Sequence, residues 1–413
     1  MVRYRRRLGL VWLVGVGLAA VLTLFSSCDS PVGGDSSNGG NSVVIVDGDP
    51  LTGTIDSDLT LASNTRYSVT GDLTVRAELT IESGAILEFA ADTRLLIDDA
   101  GIIRAIGTAA NPIIFRGATQ SAGFWRGVLI YSDNALNRLE HVNVLHTGSD
   151  DIGGQRGAVV VDGFRAGALG VVNVTMTDGT GHGLFVEDGA TLLDFSANTY
   201  GNLDRTPVRI APNQIGQLDS GSTFLSSNTD NRVEIDEFGS VTDDATWPDP
   251  GVAYYVADLL TVDAALTIED GARFEFADAV RMEINRDGAL IADAAGGDTI
   301  VFTGTVETPG HWRGIQIESD DTRNIMDNVE VSYAGETDGF AGSEEGNVYL
   351  YDGSENAYLT LRNSTISNGA SHGVVYDPDT TLTDGTSSTP PFASVTMSNI
   401  GDDRRGFSDY HQP

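Results

Sequence analysis

Short runs in which every second residue is apolar recur along the chain, among them Leu79-Thr80-Ile81, Ile113-Ile114-Phe115, Val128-Leu129-Ile130, Val142-Asn143-Val144 and Val172-Asn173-Val174. Alternation over a few residues predicts a short strand with one buried face. Gly, Asp, Asn or Ser separate the runs, as turns require. Beyond the first residues no stretch carries the periodicity of an amphipathic helix. Many short strands with turn signals between them predict an all-β protein.

The pattern also repeats on a larger scale. Tyr67 aligns with Tyr254, an offset of 187, and the alignment runs without a gap to Gly148 and Gly335. LTVRAELTIESGAILEFA (73–90) falls on LTVDAALTIEDGARFEFA (260–277), and IIFRG (113–117) on IVFTG (300–304). About two-fifths of the aligned positions are identical, beyond what composition produces. GHGLFV (181–186) then matches SHGVVY (371–376) after a small length change. The chain therefore reads as two modules, 43–250 and 251–413, the second shortened at its end.

Propeller blades repeat about every 40 to 50 residues, which fits neither rhythm. Stretches such as LTIESGAILEF, IIFRG, GFWRG and LEHVNV resemble the coils of bacterial β-helix repeat proteins, and the resemblance covers most of 60–405. It implies a right-handed parallel β-helix, a solenoid of two tandem modules. With about 20 to 25 residues per coil, the body would hold on the order of fifteen coils. The resemblance is architectural and implies no activity.

GFWRG (123–127) returns as GHWRG (310–314). A Trp-Arg pair can be a sugar platform with a charged clamp. It can equally be a packing device needed once per module. The second reading is favoured, because a repeat needs such a device in every unit. Trp125, Arg126, Trp312 and Arg313 stay candidate binding residues only if both Trp faces are exposed. Asn143, Asn173, Asn363 and Asn368 are expected to stack as amide ladders at turns.

The segment 1–28 reads as an export signal. Arg3, Arg5, Arg6 and Arg7 precede the uncharged apolar run Leu8 to Phe25, and Leu24-Phe25-Ser26-Ser27-Cys28 follows. This ending resembles a bacterial lipobox, with Phe25 where Leu is usual. The resemblance implies lipidation of Cys28 and a membrane partner through that lipid; the alternative is an uncleaved signal anchor. Cys28 is the only cysteine, so no internal disulfide forms. The next segment, 29–42, DSPVGGDSSNGGNS, has the composition of a flexible tether. The expected location is the cell envelope, at the outer membrane or cell surface.

The net charge is −35, and every basic side chain is Arg. A surface of this sign repels nucleic acid, so no nucleic-acid partner is expected. Acid-rich, Lys-free composition resembles that of halophilic proteins, in which salt screens self-repulsion.

Candidate chemistry is thin. The pectin-hydrolysing family on this fold carries Asn-Thr-Asp, Asp-Asp, Gly-His-Gly and Arg-Ile-Lys, in that order. Here Gly181-His182-Gly183 comes before Asn228-Thr229-Asp230 and Asp320-Asp321, and no Lys exists for the last motif. His182 and His372 occupy matching places in the two modules, which favours a turn over catalysis. Lyases of this fold use calcium on clustered Asp with Arg as base. The weak metal candidates are Asp150 and Asp151 in GSDDIGG (148–154) and Asp338, Glu344 and Glu345 in ETDGFAGSEE (336–345). Neither loop has a defined calcium spacing, and a solvated acidic surface is the favoured reading. No cofactor is expected, calcium apart. The chain reads as a surface lipoprotein that binds a glycan or another surface partner, or serves as an envelope spacer. A polysaccharide lyase or hydrolase is the alternative.

Overall fold

The computed structural model describes residues 43–45, 50–237, 239–336, 346–351, 353, 356–386, 393–400 and 405–407. The chain winds into a right-handed parallel β-helix. Strands of successive coils pair in parallel in four sheets of seven, twenty, six and six strands. Each coil has three faces. Ile86–Phe89 lies on the first, Arg94–Ile97 on the second and Ile102–Ile106 on the third. The chain then returns to the first face at Ile113–Gly117, directly above Ile86–Phe89.

Along the first face, Tyr67, Leu87, Phe115, Val144, Met176 and Tyr200 stack in register, at sequence intervals that differ from coil to coil. The coils that pass through Phe115 and Val144 are longer than expected, because loops such as 118–126 and 148–156 leave the coil between strands. The second face is continuous from 53–55 to Thr396–Ser398, a column of fourteen strands.

The alternating runs form strands because their inner residues fill one axial core. Leu79 and Ile81, Leu87 and Phe89, Leu95 and Ile97 are all buried, while Thr80, Glu88 and Arg94 point outward. Each buried side chain of this size contributes about 1.5–3 kcal/mol. Inside the second module Tyr254, Phe274 and Phe302 stack at 5.0 and 5.1 Å, close to the strand spacing of the sheet.

The two modules are not stacked face upon face. On the second face Val208–Ile210 is followed by Val233–Ile235, then Tyr254–Val256, then Arg273–Phe276. The last two repeat 67–69 and Ile86–Phe89, which lie on the first face of their module. Tyr254 stands seven coils above Leu73 on the second face, and Tyr67 lies one face before Leu73. The offset between the copies thus spans whole coils plus one further face, and the second module is turned by one face about the axis.

The turn is made in the junction. The seven-stranded sheet ends at Thr191–Ser196, and the 3-10 helix Pro212–Gln217 packs between that strand and Ala245–Trp247. Pro212 suits the first helical turn, where its missing N–H costs nothing. New six-stranded sheets then begin at Ala245–Trp247 and Leu260–Val262.

Corners between faces use single left-handed residues. His141, Asn173 and Ala197 take φ of 49°, 51° and 53° in the first module, and Asn328 and Asn363 take 56° and 50° in the second. Asn tolerates this region better than most residues. The expected amide ladder is therefore mostly something else. Asn173 and Asn363 are corner residues chosen for backbone geometry. Asn143 lies within a strand between Ile114 and Thr175, with no amide neighbour there. Asn368 alone of the four has an amide partner in the next coil, accepting from Asn399 Nδ2 at 2.6 Å.

Candidate functional site

The internal repeat separates architecture from candidate chemistry. What both modules carry at equivalent places serves the coil; what one carries alone needs another explanation. Trp125 stacks on Phe89 at 3.9 Å with rings 8° apart, and Trp312 on Phe276 at 4.1 Å and 8°. Both indole N–H groups donate to a backbone carbonyl, of Leu145 at 2.7 Å and of Ser332 at 2.8 Å. Both Trp residues are fully buried and offer no face to a sugar. Arg126 pairs with Asp150 at 3.7 Å and Arg313 with Glu336 at 3.2 Å. Gly123 and Gly310 have φ of 70° and 78°, as a tight turn demands, and a Cβ on Gly127 would strike the carbonyls of Gly157 and Ala158 in the next coil.

A buried polar pair repeats in the same way. Ser132 Oγ donates to the Gly101 carbonyl at 2.6 Å, and Ser319 Oγ to that of Gly288 at 2.5 Å. Asn137 Oδ1 accepts from Ile103 N–H, and Asn324 Oδ1 from Leu290 N–H. Both residues are identical in the two copies, a signal the sequence offered.

The acidic loop at 148–156 is a strap. Asp150 faces Arg126, and Asp151 pairs with Arg156 at 3.5 Å. Between them and Gly153, Ile152 is buried on the outer face of the second sheet against Leu96, Leu129, Val160 and Phe185. Among the described residues no group of three His, Cys, Asp or Glu side chains could hold a metal. Asp338, Glu344 and Glu345 lie outside the described residues, as do Cys28, the export signal and the tether.

The histidines differ. His372 is half-buried beside Ser371 Oγ, at 3.1 Å. His182 is 2% exposed, and its Nδ1 lies 2.8 Å from Thr206 Oγ1. Thr206 Oγ1 donates its single proton to Glu234 Oε2 at 3.0 Å, so Nδ1 must be the donor to Thr206. Burial, aided by Arg205 and Arg209, lowers the His182 pKa to about 4, so the ring is neutral at pH 7.

This chain of contacts leads to a cluster at the junction of the modules that, among the described residues, is not repeated. Phe185, Arg209, Glu234 and Tyr255 occupy one outward column on four successive coils of the second face. Arg209 lies over the Phe185 ring at 4.9 Å and reaches Asp236 at 2.8 Å, Glu234 at 3.4 Å and Glu237 at 3.4 Å. Arg232 continues the column, over Tyr255 at 4.1 Å and paired with Asp230 and Glu275. Burial raises the pKa values of Glu234 and Asp236, against the opposing effect of Arg209, and burial also raises that of Glu187. Burial disfavours the Arg209 cation, but the bond to Asp236 and the neighbouring carboxylates outweigh it and hold its pKa above the ordinary value.

Two clefts flank Arg209. One, of about 320 Å³, is lined by His182, Asp204, Arg205, Thr206, Asp230 and Glu234 as well as Arg209 itself. The other, of about 390 Å³, lies between the 162–167 turn and the coils, with Phe164, Phe185, Glu187, Asp188 and Asp236 in its walls.

Of the motifs read from the sequence, the structure brings His182 and Asp230 to one cleft. Asn228 is buried and turns its amide to the Tyr200 carbonyl. Asp321 is tied to Arg323 at 2.6 Å on a later coil. Sequence reasoning missed Arg209, Glu234, Asp236, Glu187 and Phe164. One signal was available: DGFRAGAL (162–169) aligns with DGSENAYL (352–359), which places Ser354 opposite Phe164.

A family model described as a pectate-lyase like beta helix domain matches residues 53–159. No curated protein and no solved structure matches the chain. The matched segment holds the first Trp staple and the whole strap. It stops before Phe164, His182 and Arg209, so its description agrees with the fold and carries no activity to the junction clefts.

Proposed function

We propose that the chain is an exported lipoprotein of the cell envelope whose β-helix body binds a glycan at the junction clefts without cleaving it. A lipid on Cys28 and the 29–42 tether would hold the body at the outer membrane or cell surface. The support for the anchor is the basic, apolar and small-residue order of segment 1–28, which ends in the lone cysteine. The support for binding is a pair of open clefts, one lined by Phe164 and Phe185 with carboxylates and the other by polar and charged side chains alone.

The observation that argues against cleavage is the state of Arg209. A lyase base must accept a proton, and Arg209 is bound to three carboxylates that stabilise its cation. One feature favours the hydrolase reading instead: carboxyl groups with pKa values raised by burial are suited to general acid work.

The test uses the full-length chain in detergent with neutral and acidic polysaccharides, with and without calcium, following bound protein and new chain ends together. Binding without new ends is expected. New ends that vanish in Glu234→Gln would make the protein an enzyme. In the expressing cells, labelled fatty acid should enter the chain, and incorporation that survives Cys28→Ala would remove the anchor.

A further inference from the structure

The cleft beside Phe164 has an unusual wall. Phe164 is 95% exposed, yet it does not sit on a loose loop. Its turn is closed by Gly167 N–H to the Asp162 carbonyl at 2.8 Å and by Arg165 N–H to Asp162 Oδ1 at 2.8 Å. Arg165 holds the far side, over the Tyr131 ring at 4.4 Å and with one guanidinium nitrogen, Nη1, donating to both Asp99 oxygens at 2.9 and 3.0 Å. The turn backbone is thus fixed, and it sets the Phe164 ring in solvent at the rim of the cleft, open to contact by whatever enters.

The polar lining facing that ring is mostly acidic. Glu187 accepts a backbone N–H, from Gly163 at 3.0 Å, and among the described residues neither it nor Asp188 forms an ion pair. Asp162 and Asp236 add negative charge nearby, and Arg209 is already committed to Asp236. The Gln155 side chain also lines the cleft. The carboxylates do not converge as a metal requires. They instead line an open cleft of about 390 Å³, large enough for an organic group.

We infer that this cleft takes a glycan unit bearing a free ammonium group, an amino sugar without its acetyl, with the ammonium between Glu187 and Asp188 and the sugar face on Phe164. An aromatic face and carboxylates together recognise an organic cation, and the charge of −35 excludes an anionic sugar from the same place. The second module does not duplicate the site: its sequence places Ser354 opposite Phe164 and Pro378 opposite Asp188. The inference rests on the glycan reading above and narrows it.

The test compares a glucosamine hexamer with its fully N-acetylated form, titrated calorimetrically into the full-length chain in detergent, with enough salt to screen the surface. The free amine should bind at least about tenfold more tightly, and Glu187→Gln and Phe164→Ala should each remove about tenfold. Phe164 is exposed, so its variant tests the idea even if Glu187→Gln folds poorly. Equal binding of both hexamers would overturn the ammonium and leave glycan binding intact. No binding of either would sink both readings. Spermine binding as tightly, indifferent to Glu187→Gln, would mean general counterion uptake and would overturn the site.

Discussion

The Trp125 staple and the Arg209 cluster lie on the same solenoid but carry opposite signatures. The staple occurs twice, with ring separations of 3.9 and 4.1 Å and the same 8° tilt, and it is wholly interior. The cluster occurs once, on the outside of the junction, where a buried carboxylate, an arginine and two clefts meet. A stretch that catches the eye because it repeats is marked by its repetition as part of the coil. The residues that need a functional account are those that break the repeat.

The rotation between modules strengthens that lesson. If the repeat spanned only whole coils, equivalent loops would line one side of the rod and could form a single extended surface. The extra face sends them in different directions about the axis. Equivalent residues such as Tyr67 and Tyr254 therefore lie on different faces, and the candidate site is confined to the junction.

The largest effect should come from the staple. Trp125→Ala and Trp312→Ala each empty a fully buried ring site and orphan a backbone carbonyl. Each should cost about 3–5 kcal/mol in chemical denaturation, with the two alike. A cost below about 1 kcal/mol in either would break the equivalence on which the comparison stands.

His182 should give the next effect. Its folded pKa of about 4 lies below the ordinary value of 6.5. Its contribution is therefore fully present above pH 6.5 and is lost as pH falls towards 4, up to about 3 kcal/mol. The raised carboxylates Glu187, Glu234 and Asp236 act with the opposite sign, losing stability as pH rises through their folded values. Only the difference between wild type and His182→Gln isolates the ring. That difference should shrink as pH falls from 7 to 4, and a constant difference would mean that His182 does not titrate as its burial dictates.

The coil and the all-β class were legible because they depend on local alternation. The repeat is itself a fact of the sequence, carried by stretches such as LTIE and WRG that are identical in both copies. The turn by one face was not legible, since nothing local records which strand of a coil lies above which. Arg209 was hidden for a related reason. Its partners Glu234, Asp236 and Glu237 lie one coil up, and only the register makes them neighbours. The asparagines misled because the left-handed corner itself selects them: Asn173, Asn363 and Asn368 take φ of 51°, 50° and 52°, and the amide contact at Asn368 is added to that.

The smallest effect belongs to the strap carboxylates. Asp150 and Asp151 are exposed, their arginine partners stand at 3.7 and 3.5 Å, and such pairs are worth about 0–1 kcal/mol. Against a net charge of −35, removing a negative charge also relieves repulsion, so the two terms oppose each other. Asp150→Asn and Asp151→Asn should therefore move stability by less than about 1 kcal/mol in low salt. The whole molecule should respond more than either variant: molar salt screens the summed repulsion and should raise the melting temperature. Calcium should add nothing beyond its ionic strength. A calcium-specific rise in melting temperature that the Asp150→Asn, Asp151→Asn double variant abolishes would turn the strap into a metal site and return the comparison to the repeated loop.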